Sequence, residues 1–522
     1  MGILNSCIEF SWKNSKMIDK KLFAKNSLTG VFLKIIVAAL TFYAIPLIIK
    51  DLGANVYGIF ASVTVIGDLA RITNVGFYSA LIKFISIQGK SKESSYDIIT
   101  AFISMIVLMS LISIVLFVFS DQIILNVLNI DIEYLPDSKV LFNRLVISNF
   151  ILQVGLNFTG ILESQKRMYL VSYIQLIYSV IYWSSIILVV SYGLGLREVG
   201  LMVMLSAIIW LIVIAYASFK IYGPIHFRGF RRNFRQSIRK LLGYGLKLYA
   251  SGLLFLFWEP LVKIIVANYF GVTHVGFIDI GIRVKNQFQR IFQALFWPLF
   301  QLFSEIRSKE KIAAIVKEIE EKITLFIIPI CIGLIFSMNT IIDLWIGENV
   351  EIISISVLII TIGTLLGQTI IQPFHNYLGA NKPTISILNQ VIMDVSYIPF
   401  IFLLKEIFAF YGVIISLAIA YLIHLLLGLY FQKKYLNLMI FDSSKKLLKL
   451  ICVIIILFAL GYIGMRLTEN SILLQLLIIP LSLLISSFLL YRELRLIRAS
   501  DIEKYLGSSN KLSQNIGGLF HK

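Results

Sequence analysis

Cysteine is scarce in this chain. Cys7, Cys331 and Cys452 are too few and too scattered for a disulfide framework or a thiolate metal site. The five histidines show no ligand spacing. There is no GxxxxGK[ST] phosphate loop, so the chain itself is not expected to hydrolyse ATP, and HExxH and GxSxG are also missing. Neither a cofactor nor a metal is expected. Charge is sparse at 15%, and acids are the scarcer sign, 29 against 47 Lys and Arg. No cleavable signal segment is expected: the first ~27 residues are polar and basic, and the apolar run after them is long enough to span. The opening "MGILNS" fits an N-myristoylation pattern, but a many-spanning chain needs no lipid anchor.

What fills the chain instead is apolar sequence: 58% hydrophobic residues, a mean hydropathy of +0.86 and 13% aromatics. That exceeds what a soluble core can bury and marks an all-α integral membrane protein. Stretches of about 20 apolar residues place about 14 spans, at 28–49, 57–86, 98–119, 140–162, 168–191, 197–219, 243–269, 274–303, 323–345, 352–376, 384–404, 408–431, 447–467 and 471–491. The net charge of +18 reads as cytoplasmic loops and lipid contact, not nucleic acid. Lys and Arg concentrate on alternate loops, among them Phe227–Lys240, Arg307–Lys322 and Lys433–Lys449, while the opposite loops are poor in them. Both termini are therefore expected in the cytoplasm.

"PLIIKDLGANVYGIF" (Pro46–Phe60) has a counterpart in "EPLVKIIVANYFGVTHVGF" (Glu259–Phe277). Gly53 and Gly58 reappear as Gly271 and Gly276, about 218 positions later. That offset holds six spans, so both copies face the same way. This pattern predicts two parallel six-helix repeats around a central cavity, with spans 13 and 14 added. The expected divisions are a cytoplasmic segment 1–27, an N-lobe 28–219, a basic linker 220–242, a C-lobe 243–431, spans 13–14 within 432–491 and a cytoplasmic tail 492–522.

Charge at bilayer depth is costly, about 2.5–3.5 kcal/mol per group on insertion scales, and it gathers in the first two spans of each repeat. Spans 1 and 2 carry Lys34, Asp68, Arg71 and Lys83; spans 7 and 8 carry Lys247, Glu259, Lys263, Asp279, Arg283, Lys285 and Arg290. Glu259 and Lys263 share a helix face, as do Asp279, Arg283, Gln287 and Arg290. Ion pairs that tie helices together would explain part of this set. Cations outnumber acids, however, and a surplus of buried cations favours an anionic ligand. Lys34, Arg71, Lys83, Lys263, Arg283 and Arg290 are the candidate anion ligands; Asp68, Glu259 and Asp279 are candidates for ion coupling. Two amide stripes, Asn149, Gln153 and Asn157 in span 4 and Gln368 and Gln372 in span 10, suit sugar hydroxyls and interhelical hydrogen bonds equally.

Residues 26–435 resemble the polysaccharide-unit flippases of the MOP superfamily, the Wzx-type O-antigen exporters and their relatives. The resemblance is carried by "IPLIIKDLGANVYGIFASVTVIGDLARITNVGFYSALIKFIS" and by Glu259, Pro260, Lys263, Gly271, Gly276, Asp279, Arg283, Arg290 and Pro298. Many relatives have Asp where this chain has Asn74. The resemblance implies a V-shaped, two-lobed carrier in the bacterial or archaeal cytoplasmic membrane. It would move an undecaprenyl-diphosphate-linked oligosaccharide to the outer leaflet by ion- or potential-driven alternating access, beside a polysaccharide polymerase and a chain-length regulator. Alternatives are a lipid II flippase, a multidrug or cation antiporter, which would favour an acidic cavity, and a membrane glycosyltransferase or polymerase. An enzyme of that last kind needs a catalytic acid on an outer loop, where Asp131, Glu133 and Asp137 are the grouped acids. The expectation is a transporter, not an enzyme.

Overall fold

The computed structural model describes residues 20–71, 76–306, 308–438, 444–468 and 471–494, and every regular element among them is helical. The helices are α1 (Lys20–Leu52), α2 (Ala54–Arg71), α3 (Phe77–Gln88), α4 (Lys92–Val118), α5 (Leu135–Ser164), α6 (Met168–Ser191), α7 (Leu196–Tyr222) and α8 (Phe230–Phe270). They continue as α9 (Val272–Glu305), α10 (Lys309–Trp345), α11 (Val350–Thr364), α12 (Gln372–Asn381), α13 (Pro383–Phe408), α14 (Phe410–Leu436), α15 (Ser444–Leu467) and α16 (Ile472–Glu493). Ten helical segments among the described residues are long and apolar enough to cross a membrane. They coincide with expected spans 3–6 and 9–14. The other four, spans 1, 2, 7 and 8, are the ones that carry the charge clusters.

Two expected spans are broken helices. Span 2 is α2 and α3, and α3 starts behind Gly76 at φ +77. Span 10 is α11, a π-turn over Leu365–Thr369, and then α12 with Pro373 in its first turn. A proline there lacks only an N–H that would have no helical partner. Pro46 and Pro260, by contrast, lie inside continuous helices.

The described chain divides into two compact units, one ending at Ile280 and the other starting at Gly281. The division falls within α9, away from the basic stretch 220–242, half of which is the first part of α8. In the first unit, Phe77, Leu81, Ile85, Ile98, Met105 and Ile161 form a core between α3, α4 and α5. Val107, Leu111, Ile114 and Val118 on the far side of α4 are exposed, an apolar face suited to lipid. In the second unit, Phe303, Ile323, Ile327, Phe374 and Phe431 join α9, α10, α12 and α14. Helices α15 and α16 pack on α10 through Leu325, Val453, Leu457, Ile479 and Leu483. The Tyr491 hydroxyl donates to the Leu325 carbonyl at 2.8 Å and so ties α16 to α10.

Candidate functional site

The two glycine turns found in the sequence meet in the first unit. Gly53 ends α1 and Gly271 ends α8, at φ +86 and +83, a left-handed geometry that glycine adopts without strain. Past each turn, α2 and α9 cross at backbone contact. The Thr273 hydroxyl donates to Asn55 Oδ1 at 3.0 Å across a separation of 218 residues, the repeat offset itself. A Cβ on Gly58 would stand 2.1 Å from the Val272 carbonyl oxygen, and one on Gly276 would stand 3.3 Å from Gly58 Cα. Each copy of the motif thus packs against the other.

One turn further on lies a buried polar triad. Lys263 Nζ sits 2.6 Å from Asp279 Oδ1, with exposures of 4% and 2%. Tyr57 donates its hydroxyl to Asp279 Oδ2 at 2.7 Å. Two residues expected in separate roles, Lys263 on the anion and Asp279 in ion coupling, are therefore bonded to each other. Glu259, the i−4 neighbour of Lys263, is half-buried. Lys83 is exposed, with its ammonium 3.7 Å from the centroid of the Tyr244 ring, a cation–π contact.

Arg283 and Arg290 belong to the second unit, half-buried and exposed respectively. The side chains of Lys34, Asp68, Arg71 and Lys247, and Asn74 altogether, lie outside the described residues. The candidate anion ligands thus divide between the two units. The amide stripes differ from one another. In the second unit Gln368 accepts from Gln289 at 2.6 Å and Gln372 donates to Asn376 at 3.3 Å, so both are engaged within the protein. In α5, Gln153 and Asn157 are buried, Asn149 is half-buried, and the Asn157 Nδ2 has no hydrogen-bond partner. Of the three acids expected together on an outer loop, Asp137 lies in the first turn of α5 and is tied to Arg197 at 2.5 Å.

Several polar sites escaped the sequence reading. Tyr78 donates to Glu163 at 2.5 Å. Asp97, fully buried, pairs with Lys240 of α8. At the break in span 10, where the π-turn covers Leu365–Thr369, His424 Nδ1 lies 3.1 Å from the Gly367 carbonyl as donor. His424 stacks on His375 with centroids 4.8 Å apart, and Asn389 Nδ2 donates to His375 Nε2 at 3.1 Å. The break itself was the missed signal: Gly367 followed by Pro373, inside a stretch otherwise apolar enough to span.

Comparison with known proteins turns this architecture into a family. The family model described as "Polysaccharide biosynthesis protein" matches residues 52–354. The chain belongs to the polysaccharide biosynthesis protein family. A relative in this class is a Shigella flexneri protein described as an O-antigen transporter. It is 24% identical over 409 residues, 77% of this chain and 96% of the relative. The fold of this polysaccharide biosynthesis family member is similar to that of the lipid II flippase MurJ in its inward closed conformation. The TM-score is 0.69 at 18% identity, over 90% of this chain and 100% of that one. An inward-facing multidrug resistance MATE transporter of the MOP superfamily aligns at TM-score 0.55 and 13% identity, over 83% and 98% of the two chains. The family member therefore has the helical fold of MOP-type transporters, and the proteins it resembles are transporters, not catalysts.

Proposed function

We propose that this protein is a flippase that carries an undecaprenyl-diphosphate-linked oligosaccharide from the inner to the outer leaflet of the cytoplasmic membrane, by ion- or potential-driven alternating access. The observation that carries the reading is the excess of cations over acids in spans 1, 2, 7 and 8 of a chain in a polysaccharide biosynthesis family. A diphosphate cannot cross hydrocarbon alone. Lys and Arg along a watery path would neutralise it while the lipid tail stays in the bilayer, and the planar fork of Arg binds phosphate oxygens in pairs.

Two parallel six-helix repeats supply the frame for such a movement. The pairing of Asn55 with Thr273 and the matching left-handed glycines support them, because a local two-fold relation brings equivalent residues together. In this reading both termini are cytoplasmic, Arg283 and Arg290 accept the diphosphate in turn, and Asn149, Gln153 and Asn157 line the sugar path. The MurJ-like fold favours one second reading, a lipid II flippase. The two are separated by genetics. In cells lacking their own exporter, this chain should restore surface polysaccharide, and Arg283→Ala or Arg290→Ala should abolish that restoration with insertion intact. Rescue of cells lacking their lipid II flippase, without restored polysaccharide, would favour the second reading.

A further inference from the structure

One carboxylate in the second unit lies buried away from the charge pairs around it. The inner face of α10 runs Ile312, Val316, Glu320, Thr324 and Ile327, so Glu320 occupies a core position and is 0% exposed. Gln432 of α14, also 0% exposed, donates Nε2 to Glu320 Oε2 at 2.5 Å. The backbone amide of Phe374, in the first turn of α12 behind the break, faces the same carboxyl. Glu320 Oε1 and Gln432 Oε1 remain, both buried and both without a hydrogen-bond partner.

The charged neighbours are occupied elsewhere or point out. On α10, Lys322 pairs with Glu318 at 2.7 Å, and Glu321 pairs with Lys446 of α15 at 3.2 Å. Lys317, on the same helix, is half-buried. On α14, Lys433 is exposed and Lys434 lies near the rings of Tyr430 and Tyr435; Lys382 approaches Tyr435 from the end of α12. His375 of α12 is engaged by Asn389 and stacked on His424. Among the described residues, no cation lies within ion-pair reach of Glu320. Asp97 makes the contrast: equally buried at the start of α4, it has Lys240.

An ionised carboxylate in a dry core without a counter-charge is strongly disfavoured. A proton on Oε1 removes the charge and creates a donor. That donor is what Gln432 Oε1 lacks, and Oε2 still accepts from Nε2. One proton thus satisfies both orphaned oxygens and closes an acid–amide pair. We propose that Glu320 is a proton-binding site, a neutral carboxyl that donates from Oε1 to Gln432 Oε1 and releases its proton to water when α10, α12 and α14 part. Helix packing at this end of the unit is then coupled to proton occupancy. Loop charge assigns this end to the cytoplasm.

Infrared difference spectroscopy of the purified full-length protein, between acidic and alkaline buffer, tests the proton directly and needs no transport. A protonated-carboxyl C=O band should be present at neutral pH, be lost in Glu320→Gln and persist in Asp97→Asn. Gln432→Leu should keep the band but shift it to higher frequency, through loss of the hydrogen bond. A Glu320→Gln spectrum identical to wild type would overturn the proposal. If that variant does not purify, an unshifted band in Gln432→Leu would overturn it equally. Failure of the flippase reading would leave these spectra unchanged, so the two are distinguishable.

Discussion

Gly58 and Gly276 are equivalent in sequence, but the structure does not treat them alike. An alanine methyl at Gly58 would meet backbone, 2.1 Å from Val272 O, 2.6 Å from Val272 C and 3.0 Å from Thr273 Cα. Backbone cannot rotate away. To reach ordinary contact near 3.4 Å, α2 and α9 must separate by about 1.3 Å (3.4 less 2.1), which would also break the 3.0 Å bond between Thr273 and Asn55. Overpacking costs about 1–3 kcal/mol, and the lost hydrogen bond about 0.5–1.5 kcal/mol. Replacing a mid-helix glycine by alanine returns about 1 kcal/mol. Gly58→Ala should therefore be destabilised by roughly 1–3 kcal/mol. At Gly276 the nearest atoms are Tyr57 Cδ1 at 3.1 Å and Gly58 Cα at 3.3 Å, a misfit of a few tenths of an ångström. The helix gain offsets that, and Gly276→Ala should stay within about 1 kcal/mol of wild type. Thermal unfolding of the purified variants reads the difference. Equal stabilities, or a worse result for Gly276→Ala, would refute the packing argument.

Other outcomes follow from the same geometry. Lys263→Met removes the ammonium 2.6 Å from the buried Asp279 carboxylate, and should cost about 3–5 kcal/mol; Lys263→Met with Asp279→Leu should recover much of that loss in the same unfolding assay. A reporter that is active only outside the cytoplasm, fused after Lys522, should stay silent; activity would overturn the topology. Glu259→Gln, Asp279→Asn and Asp68→Asn test the coupling role in vesicle transport. At least one should weaken the dependence of export on pH or Na⁺, and unchanged dependence in all three would remove the idea.

The periodic apolar runs made the helices legible, because length and hydropathy are local properties. Spans 2 and 10 read as continuous because their breaks depend on single residues, Gly76 and the π-turn around Gly367, within otherwise apolar sequence. The Lys263–Asp279 pair was not legible for a different reason. Helix-face spacing reports neighbours on one helix, so it joined Lys263 to Glu259; the actual partner lies across the Gly271 turn on the next helix. Glu320 was hidden in the run "KEIEEK", where five of the six residues are charged. The clue was its register, four residues after the fully buried Val316, which puts a carboxylate on the apolar stripe of the helix. The 218-residue offset, in contrast, reached beyond local structure: it marked the two segments that pack together.

The central claim is tested most directly by reconstituting the purified protein in liposomes that carry a fluorescent undecaprenyl-diphosphate oligosaccharide and following its appearance in the opposite leaflet. The wild type should move it faster than protein-free vesicles, and Arg283→Ala and Arg290→Ala should fall to the protein-free rate. Equal movement with and without the wild-type protein, under an imposed ion gradient or membrane potential, would contradict the account.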